Sequence, residues 1–290
     1  MMARSTSGES VLTRAMRILR AFDTASASLT VSEIARHAGL PVATAHRMVT
    51  ELVELGALER EPGKRVRIGY QLWELASRSS PARDLSRAAL PFMEDLQAVV
   101  REHTQLGVLE GTDVLYLERL SDRNAGRNVA EIAGRLPVHA TSTGLVLLAH
   151  SPPELQERVL GGELPAHTRQ TITDPARLRR TLAAVRRDGY VIASQMIDPA
   201  AVGLAAPVRD RGNRVVAALS VVVPFRRDRG PGEPSSAPDP EPGPHAHIPV
   251  LLAAARGISR TMGAPVSGEG VIHTRGHLWS STQPPPGRDG

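Results

Sequence analysis

The sequence predicts an α+β fold divided into two domains. Its 290 residues suggest about two domains. Up to about residue 100, apolar residues recur at the spacing of short amphipathic helices. From Thr104 onward the pattern changes to short apolar strands separated by turn residues, with helices among them. Hydrophobic residues make up 41% of the chain, which is enough to build real cores.

Two short helices joined by a glycine turn are predicted in residues 29–55. Thr30 and Glu33 stand three residues apart before an apolar run, the spacing of a capping box at a helix start. Gly39 ends this first helix, as a C-terminal position with positive φ requires. Pro41 then begins a second helix, because a proline at a helix start needs no N–H. The second helix is predicted to run from about residue 42 to 55.

The second helix has an apolar inner face and a polar outer face. Ala45, Met48 and Val49 share the inner face at helical spacing. The candidate DNA-reading residues of the outer face are Ala43, Thr44, His46, Arg47 and Thr50. The first acid of this helix is Glu51, so its N-terminal half is free of negative charge. This pattern is expected of a recognition helix that enters a DNA major groove N-terminus first.

A short basic hairpin is predicted directly after the second helix. Its tip is Pro62-Gly63-Lys64, and the return strand points Val66 and Ile68 inward. Arg65 and Arg67 point outward, where they and Lys64 can contact phosphate. Helix pairs of this kind also occur in protein–protein modules, and the hairpin favours DNA. The whole segment therefore predicts a winged helix-turn-helix.

The rest of the chain predicts a helical connector and a domain with an antiparallel sheet. Residues 77–91 suggest the connector, in which Pro91 either kinks a helix or begins a new one. Strands are expected on both sides of Gly111, and the Asp174-Pro175 pair begins a helix. Residues 226–249 form a Pro-rich insertion, and residues 265–290 form a tail. Both are expected to be disordered, because their composition cannot build a core.

Composition excludes several classes of protein. The chain has no cysteine, which excludes disulfides, thiolate zinc sites and a cysteine nucleophile, and which fits a cytoplasmic location. No apolar run approaches the ~20 residues of a membrane span, and the N-terminus lacks a signal-peptide core. The net charge is +5, but Lys64 is the only lysine. Such arginine-rich usage is typical of GC-rich genomes, so the DNA prediction depends on the motif and not on the charge. Aromatic residues, at 3%, are too few for a single-strand stacking surface.

The sequence shows no motif of a known catalytic or cofactor site. It lacks the nucleophile elbow, the P-loop, the dinucleotide fingerprint and the metalloprotease helix. His139 precedes a hydroxyl-rich run, but those hydroxyls are better explained as helix caps than as a Ser–His pair. His245 and His247 lack the further ligands that a metal needs. No enzyme activity, cofactor or metal is therefore expected.

Four segments together resemble the IclR-type transcriptional regulators. They are residues 10–22, the Gly39-Leu-Pro-Val-Ala-Thr-Ala-His-Arg47 segment, the Arg135-Leu-Pro-Val-His-Ala-Thr-Ser-Thr-Gly144 segment, and the Gly203-Leu-Ala-Ala-Pro-Val-Arg-Asp210 segment. The likeness spans about residues 10–262. It implies a winged helix-turn-helix domain at 10–76, a connector at 77–91 and a GAF-like effector domain at 92–264. It also implies a double-stranded DNA operator, a homodimer or homotetramer, and no membrane.

The same resemblance places an effector pocket in the second domain. One wall is the helix start at Ser142, Thr143 and Gly144, where free N–H groups favour an anion. The remaining pocket residues implied by the resemblance are Ala193, Gly203, Ser220 and Val222. Since only Ser220 of these four is polar, the lining predicts a partly apolar acid as the small-molecule effector. Two alternatives are an effector-independent DNA-binding regulator with a purely oligomerising second domain, and a small-molecule enzyme, which the missing motifs disfavour.

Overall fold

The chain forms two compact units. A computed structural model describes residues 9–22, 26–78, 80–122, 125, 128–130, 132–225 and 243–265. The contacts within it divide the chain into Met1–Arg87 and Ala88–Gly290. The division falls inside the predicted connector of residues 77–91. The structure is α+β, as the sequence predicts.

The first unit is a helix-turn-helix with a three-stranded sheet. Its elements are α1 (Val11–Leu19), β1 (Ser28–Thr30), α2 (Val31–Ala38), α3 (Val42–Glu54), β2 (Leu58–Glu61), β3 (Arg65–Ile68) and α4 (Tyr70–Arg78). The antiparallel sheet has the order β1-β3-β2. Strands β2 and β3 are the predicted hairpin. Strand β1 was not predicted, because three residues are too few to show a period of two.

The predicted capping box and the buried faces are present in this unit. The Thr30 side chain accepts from the Glu33 backbone N–H, and the Glu33 carboxylate accepts from the Thr30 N–H at 2.7 Å. The bond from the Thr30 N–H, followed by a bond from the Thr30 hydroxyl to the same carboxylate at 2.9 Å, holds the pKa of Glu33 below its usual value. Ile18, Ile34, Val49 and Val66 are fully buried and join α1, α2, α3 and the hairpin in one core.

Helices α5–α9 and strands β4–β9 complete the described chain. The elements are α5 (Pro81–Val100), β4 (His103–Glu110), β5 (Asp113–Leu120), β6 (Arg135–Pro137), α6 (Ser142–Ala149), α7 (Pro153–Leu160), α8 (Pro175–Asp188), β7 (Val191–Ser194), β8 (Ala201–Arg209), β9 (Val215–Pro224) and α9 (Ile248–Thr261). The division between the units falls within α5, and Pro91 lies inside this helix without ending it. Of the predicted insertion, residues 226–242 lie outside the described part, as do residues 266–290 of the tail. The prediction of disorder was wrong for the end of the insertion, because Pro244–His247 form a 3-10 helix and Ile248 and Pro249 begin α9, where a proline in the first turn is tolerated.

The six strands of the second unit form one antiparallel sheet with the order β6-β5-β4-β9-β8-β7. Every residue of α6 is buried, which fits its Ser-Thr-Gly-Leu-Val-Leu-Leu-Ala sequence, since a helix that is apolar all round belongs in a core. The Thr141 side chain caps this helix by accepting from the Gly144 N–H at 3.0 Å. The sheet, α6 and α8 therefore enclose the core of the unit.

Candidate nucleic-acid interface and ligand pocket

Helix α3 turns its predicted reading face outward. Ala45, Met48 and Val49 are buried, whereas Ala43, His46 and Arg47 are exposed. Thr44 and Thr50 are half-buried at the edges of that face. No side chain caps the start of α3 at Pro41, so its first N–H groups are available to an external acceptor. The helix therefore presents donors and small side chains at the end that would enter a groove first.

The turn between α2 and α3 is fastened from α1. Gly39 takes a left-handed conformation, with φ of 60°, as its position after α2 requires. The Arg17 guanidinium donates to the carbonyls of Ala38 and Gly39, the latter at 3.0 Å. Arg17 also pairs with Glu9 at 2.7 Å. Sequence reasoning missed this contact, because a residue in α1 gives no local signal that its side chain reaches a turn 21 residues away.

The arginines of the hairpin are largely engaged within the first unit. Arg67 donates to Glu59 Oε2 at 2.8 and 3.1 Å and lies 3.7 Å from Glu61. Its guanidinium also lies 4.9 Å from the centre of the Tyr70 ring. Arg65 donates to the Ser28 hydroxyl at 3.1 Å and to the Ser28 carbonyl. The two outward arginines of the predicted wing thus hold the hairpin and β1 together.

The carboxylates of the hairpin account for this arrangement. Glu59 also accepts from the Tyr70 backbone N–H at 3.0 Å, and this bond, followed by the one from Arg67, lowers the pKa of Glu59. Glu59 and Arg67 face each other in register on β2 and β3. The hairpin register, which places Glu59 opposite Arg67 and Glu61 opposite Arg65, would have indicated that these arginines face carboxylates.

Arg60 is an exposed cation next to the reading face of α3. It lies opposite Val66 in the hairpin, on the sheet face that packs toward the core, and its side chain emerges beside α3. Its guanidinium donates to Thr50 Oγ1 at 3.3 Å, and Thr50 bonds to the His46 carbonyl at 3.0 Å. Within the described residues, Arg67 is the hairpin cation that forms ion pairs. Arg65 is bonded to Ser28, whereas Arg60 and Lys64 are exposed and have no ion pair in the same residues. Arg60 was not among the predicted site residues.

A recess in the second unit contains four of the seven predicted pocket residues. Ser142, Ala193, Gly203 and Val222 line it. About 460 Å³ of space lies in the recess and its open mouth together, and the cavity volume of the recess is about 40 Å³. On the latter scale a cavity that holds benzene measures about 150 Å³. In this conformation the recess therefore has room for water, and an aromatic ligand requires its walls to move apart.

The other three predicted residues lie behind the wall. Thr143 donates to Ser220 Oγ at 3.0 Å, and both side chains are buried. Gly144 lies against the Val138 backbone, where an added Cβ would stand 2.3 Å from the carbonyl oxygen. These residues position the wall, and Ser142 is the one member of the predicted helix start that lines the recess.

Several polar residues of the recess were not predicted from the sequence. Gln105, Tyr116, Asn128 and Asp198 line it, together with apolar residues such as Met196. Tyr116 is 2% exposed, and its burial raises the pKa of its hydroxyl. Alternation with Val114 favours an inward-facing Tyr116, whereas Gln105 lies on the face opposite to the apolar Leu106 and Val108. Only the three-dimensional structure shows that Gln105 and Tyr116 share a space with Ser142.

His139 forms a structural bond. Its Nε2 donates to the Pro165 carbonyl at 3.0 Å, and the His167 ring lies 6.0 Å away. Burial lowers the pKa of His139, so the neutral ring is favoured. These contacts give the imidazole a role in holding the 165–167 segment.

Comparison with known protein families identifies both units. The model of the IclR helix-turn-helix domain matches residues 11–62. The model described as the bacterial transcriptional regulator IclR C-terminal matches residues 79–236, more than half of the chain. The chain belongs to the IclR family. Its members are transcriptional regulators with a helix-turn-helix DNA-binding domain and an effector-binding C-terminal domain, and this chain has both.

Individual relatives agree with the IclR assignment. An IclR homolog from Microbacterium hydrocarbonoxydans, crystallised with 4-hydroxybenzoate, is 46% identical, with a TM-score of 0.78 over 87% of this chain and 99% of that one. The glycerol operon regulatory protein of Streptomyces griseus is 30% identical over 87% of this chain and 96% of its own length. The regulator XynR of Escherichia coli is 30% identical over 72% of this chain and 83% of its own length.

The described residues of this IclR-family chain contain neither a cluster of metal ligands nor a membrane-spanning helix. In the part that the structure describes, no three His, Asp or Glu side chains are grouped so that they could hold a metal ion. Across the same described ranges, no helix is both long enough and apolar enough to cross a membrane.

Proposed function

We propose that α3 reads the operator and that the cations around it fix its position. The exposed, acid-free first half of α3 supports this proposal most directly. Arg47 is central on that face and can donate twice to a guanine or once to a phosphate. Ala43, Thr44, His46 and Thr50 complete the reading face, and the free N–H groups at the start of α3 favour a phosphate.

Arg60 and Lys64 are the proposed phosphate contacts of the wing. Arg60 lies beside Thr50, eight residues into α3, which places it about 12 Å along the helix from Val42. Arg60 therefore lies beside the C-terminal half of α3, where it would reach a backbone phosphate next to the groove. Arg65 is exposed and bonded to Ser28, and it is proposed as a secondary phosphate contact. Arg67 is assigned to the stability of the wing, because its guanidinium is held by two carboxylates.

The DNA proposal is tested on duplexes that the full-length chain selects from a random pool. Arg47→Ala is expected to weaken binding to the selected duplex by about 1–3 kcal/mol and to relax the base preference at one position. Arg60→Ala is expected to weaken binding to selected and random duplexes by the same factor. It is also expected to lower the slope of log affinity against log salt concentration by about one unit.

Arg180→Ala, on the exposed face of α8, is the matched control because it removes the same charge from the other unit. If Arg47→Ala leaves the affinity for the selected duplex unchanged, α3 does not read bases as proposed. If Arg60→Ala alters base preference but not the salt slope, Arg60 contacts bases.

We propose that the effector is a small, partly apolar aromatic acid. The IclR homolog complexed with 4-hydroxybenzoate and the mixed apolar and polar lining of the recess support this class. Because the recess is too narrow for a ring in this conformation, the ligand would favour a more open one. A ligand that binds one conformation better shifts the population toward it, and this difference in affinity can be passed to the DNA-binding domain.

The effector proposal predicts a rise in melting temperature with 4-hydroxybenzoate and a change in operator affinity. If a panel of aromatic acids stabilises the chain but never changes operator affinity, the second domain binds ligand without regulating. If nothing stabilises the chain, the effector-independent regulator becomes the better account. We also propose that the chain has no catalytic role and acts in the cytoplasm, where the operator lies.

We propose that the first unit pairs with a second copy of itself. Helix α1 exposes Leu12 (78%) and α4 exposes Trp73 (67%), with Val11, Met16, Tyr70 and Leu75 also exposed. Such apolar surfaces favour association, and a dimer places two reading helices on adjacent half-sites. Sedimentation is expected to give a homodimer or homotetramer, and Leu12→Glu is expected to lower the assembly state without unfolding the chain. An unchanged assembly state for Leu12→Glu would rule out α1 as part of the interface.

A further inference from the structure

Gln105 carries a buried, unpaired donor and is one of the residues that line the recess. This residue is 2% exposed and lies on β4 among the residues that line the space. Its Oε1 accepts from the Ser220 hydroxyl at 3.4 Å, which fixes the orientation of the amide. Its Nε2 is buried and has no hydrogen-bond partner within the part of the chain that the structure describes. A buried donor without an acceptor is costly, so an acceptor atom on a bound ligand would be favoured here.

A second unpaired donor lies at the same end. Asn128 Oδ1 accepts from the Ala130 N–H at 3.0 Å, whereas its buried Nδ2 has no partner within the same described ranges. The Ala130 carbonyl accepts from Arg119 Nη1 at 2.6 Å. Arg119 is the register partner of Gln105 on β5, so the two side chains stand on the same face of the sheet. Asn128 is thereby linked through Ala130 and Arg119 to the part of the sheet that carries Gln105, so two amide donors lie on one side of the recess.

The opposite end carries a carboxylate. Gln105 pairs with Ser220, and Ser220 pairs with Ala205 on β8. Ala201, at the start of β8, is four residues from Ala205, which is about 13 Å along the strand. The Ala201 N–H donates to the Asp198 backbone carbonyl at 3.2 Å. Asp198 therefore lies at the Ala201 end, far from Gln105, and both residues line the recess.

The Asp198 carboxylate keeps acceptor capacity. One of its oxygens accepts from the Ala200 N–H at 2.8 Å. A carboxylate has about four acceptor positions, so it can also accept from a ligand. Between the two ends the lining is apolar or small, with Gly203, Val222 and Met196.

We infer that the recess is bipolar and that Gln105 and Asp198 set the identity and the orientation of the effector. The ligand is an elongated molecule with an acceptor, best an anionic one, against Gln105 and Asn128. At its far end it carries a hydroxyl or amine that donates to Asp198, and its body is apolar. A second carboxylate at the far end is excluded by repulsion from Asp198. This inference rests on the proposed function of the recess as the effector site.

The test compares ligands that differ at one end only, by calorimetry on the full-length chain. The probes are 4-hydroxybenzoate, benzoate and 2-hydroxybenzoate. The wild-type chain is expected to bind 4-hydroxybenzoate at least tenfold more tightly than the other two, because only that probe has a donor opposite its carboxylate. Asp198→Asn is expected to reduce this preference severalfold while leaving benzoate binding equal or tighter, since a negative charge is removed.

Gln105→Glu tests the end of the recess that carries Gln105, with a side chain of nearly the same shape. It replaces a donor by a carboxylate and is expected to weaken the binding of all three probes at least tenfold. Asp188→Asn, on the exposed end of α8, is the matched control and is expected to change no affinity. The melting temperature of each variant without ligand shows whether it is folded.

Two results overturn the inference: equal binding of benzoate and 4-hydroxybenzoate by the wild-type chain, or equal weakening of both by Asp198→Asn. If no aromatic acid binds, the proposed effector class fails separately. In that case the same comparison is made with hexanoate and 6-hydroxyhexanoate, which differ by one terminal hydroxyl. Equal binding of these two acids overturns the inference.

Discussion

Adding a side chain at Gly203 is the most direct single change that would narrow the recess. A Cβ built on this residue would stand 2.5 Å from Ser142 Oγ and 3.2 Å from Ser142 Cβ. Non-bonded heavy atoms are best separated by about 3.5–4.0 Å, so Ser142 would have to retreat by about 1 Å. Ser142 is 5% exposed at the first position of α6, and it cannot turn freely into solvent.

Gly203→Ala is therefore expected to cost about 1–3 kcal/mol of the free energy of unfolding, the usual range for an overpacked core. For a chain of this size each kcal/mol lowers the melting temperature by roughly 2–4 °C. The added methyl group and the displaced Ser142 side chain would also occupy space in a recess with only about 40 Å³ of reachable volume. Gly203→Leu should close it fully. Both variants are expected to lose the response to 4-hydroxybenzoate yet bind DNA normally without ligand, since the reading face lies in the other unit.

Gly107→Ala is the control for a general loss of stability. Its Cβ would stand 2.6 Å from Val114 Cγ1 and 2.8 Å from Thr143 Cγ2, so it overpacks the same core, but Gly107 does not line the recess. The assay is operator binding by fluorescence anisotropy, with and without ligand, below the melting range of each variant. The reasoning is refuted if Gly203→Leu keeps the ligand response, or if Gly107→Ala loses it to the same degree.

Three further predictions concern stability and the turn. Arg17→Met is expected to destabilise the first unit by about 1.5–3 kcal/mol and to weaken operator binding, because it removes charged bonds to the Ala38 and Gly39 carbonyls; equal melting curves for variant and wild type would contradict this. Thr30→Ala is expected to cost ~1 kcal/mol through loss of the capping box, measured by urea unfolding, and a loss below about 0.3 kcal/mol would count against the cap. Burial lowers the pKa of His139 and His150, so the unfolded chain takes up protons more readily as the pH falls below about 6.5. Stability is thus expected to fall from pH 7 to pH 5.5, and to fall less in His139→Gln; an identical pH dependence would show that His139 does not contribute.

Local sequence signals predicted the first unit well. The capping box, the turn at Gly39 and the period of α3 each depend on neighbours within one or two helical turns. The start of α8 at Asp174 follows from the same kind of signal, since the Asp174 carboxylate accepts from two N–H groups of the first turn. What the sequence could not supply was the pairing of side chains across strands.

The role of Arg67 illustrates this limit. Alternation correctly put Arg67 on the outer side of β3, and outward arginines suggested phosphate. Whether that cation is free depends on Glu59, which reaches it through the register of β2 and β3. Arg60, in contrast, lies on the inner side of β2 by alternation, and its long side chain reaches solvent beside α3.

The recess shows the same limit on a larger scale. The family resemblance supplied Ser142, Ala193, Gly203 and Val222, which line it. The resemblance did not predict Gln105 or Asp198. These residues are nearly a hundred positions apart in the sequence, and they line the recess from β4 and from the turn after β7. Thr143 and Ser220 bond to each other behind the wall, a contact between residues 77 apart in the sequence.

The central claim is that the chain binds a specific DNA sequence with an affinity set by a small acid. The most direct test is to recover the genomic DNA that the full-length protein selects and to titrate it with protein, with and without saturating 4-hydroxybenzoate. The account predicts tight, sequence-specific binding that shifts about 5–150-fold when the ligand is present, the usual range of coupling between two sites. Specific binding whose affinity is the same with and without every acid that stabilises the chain would contradict it.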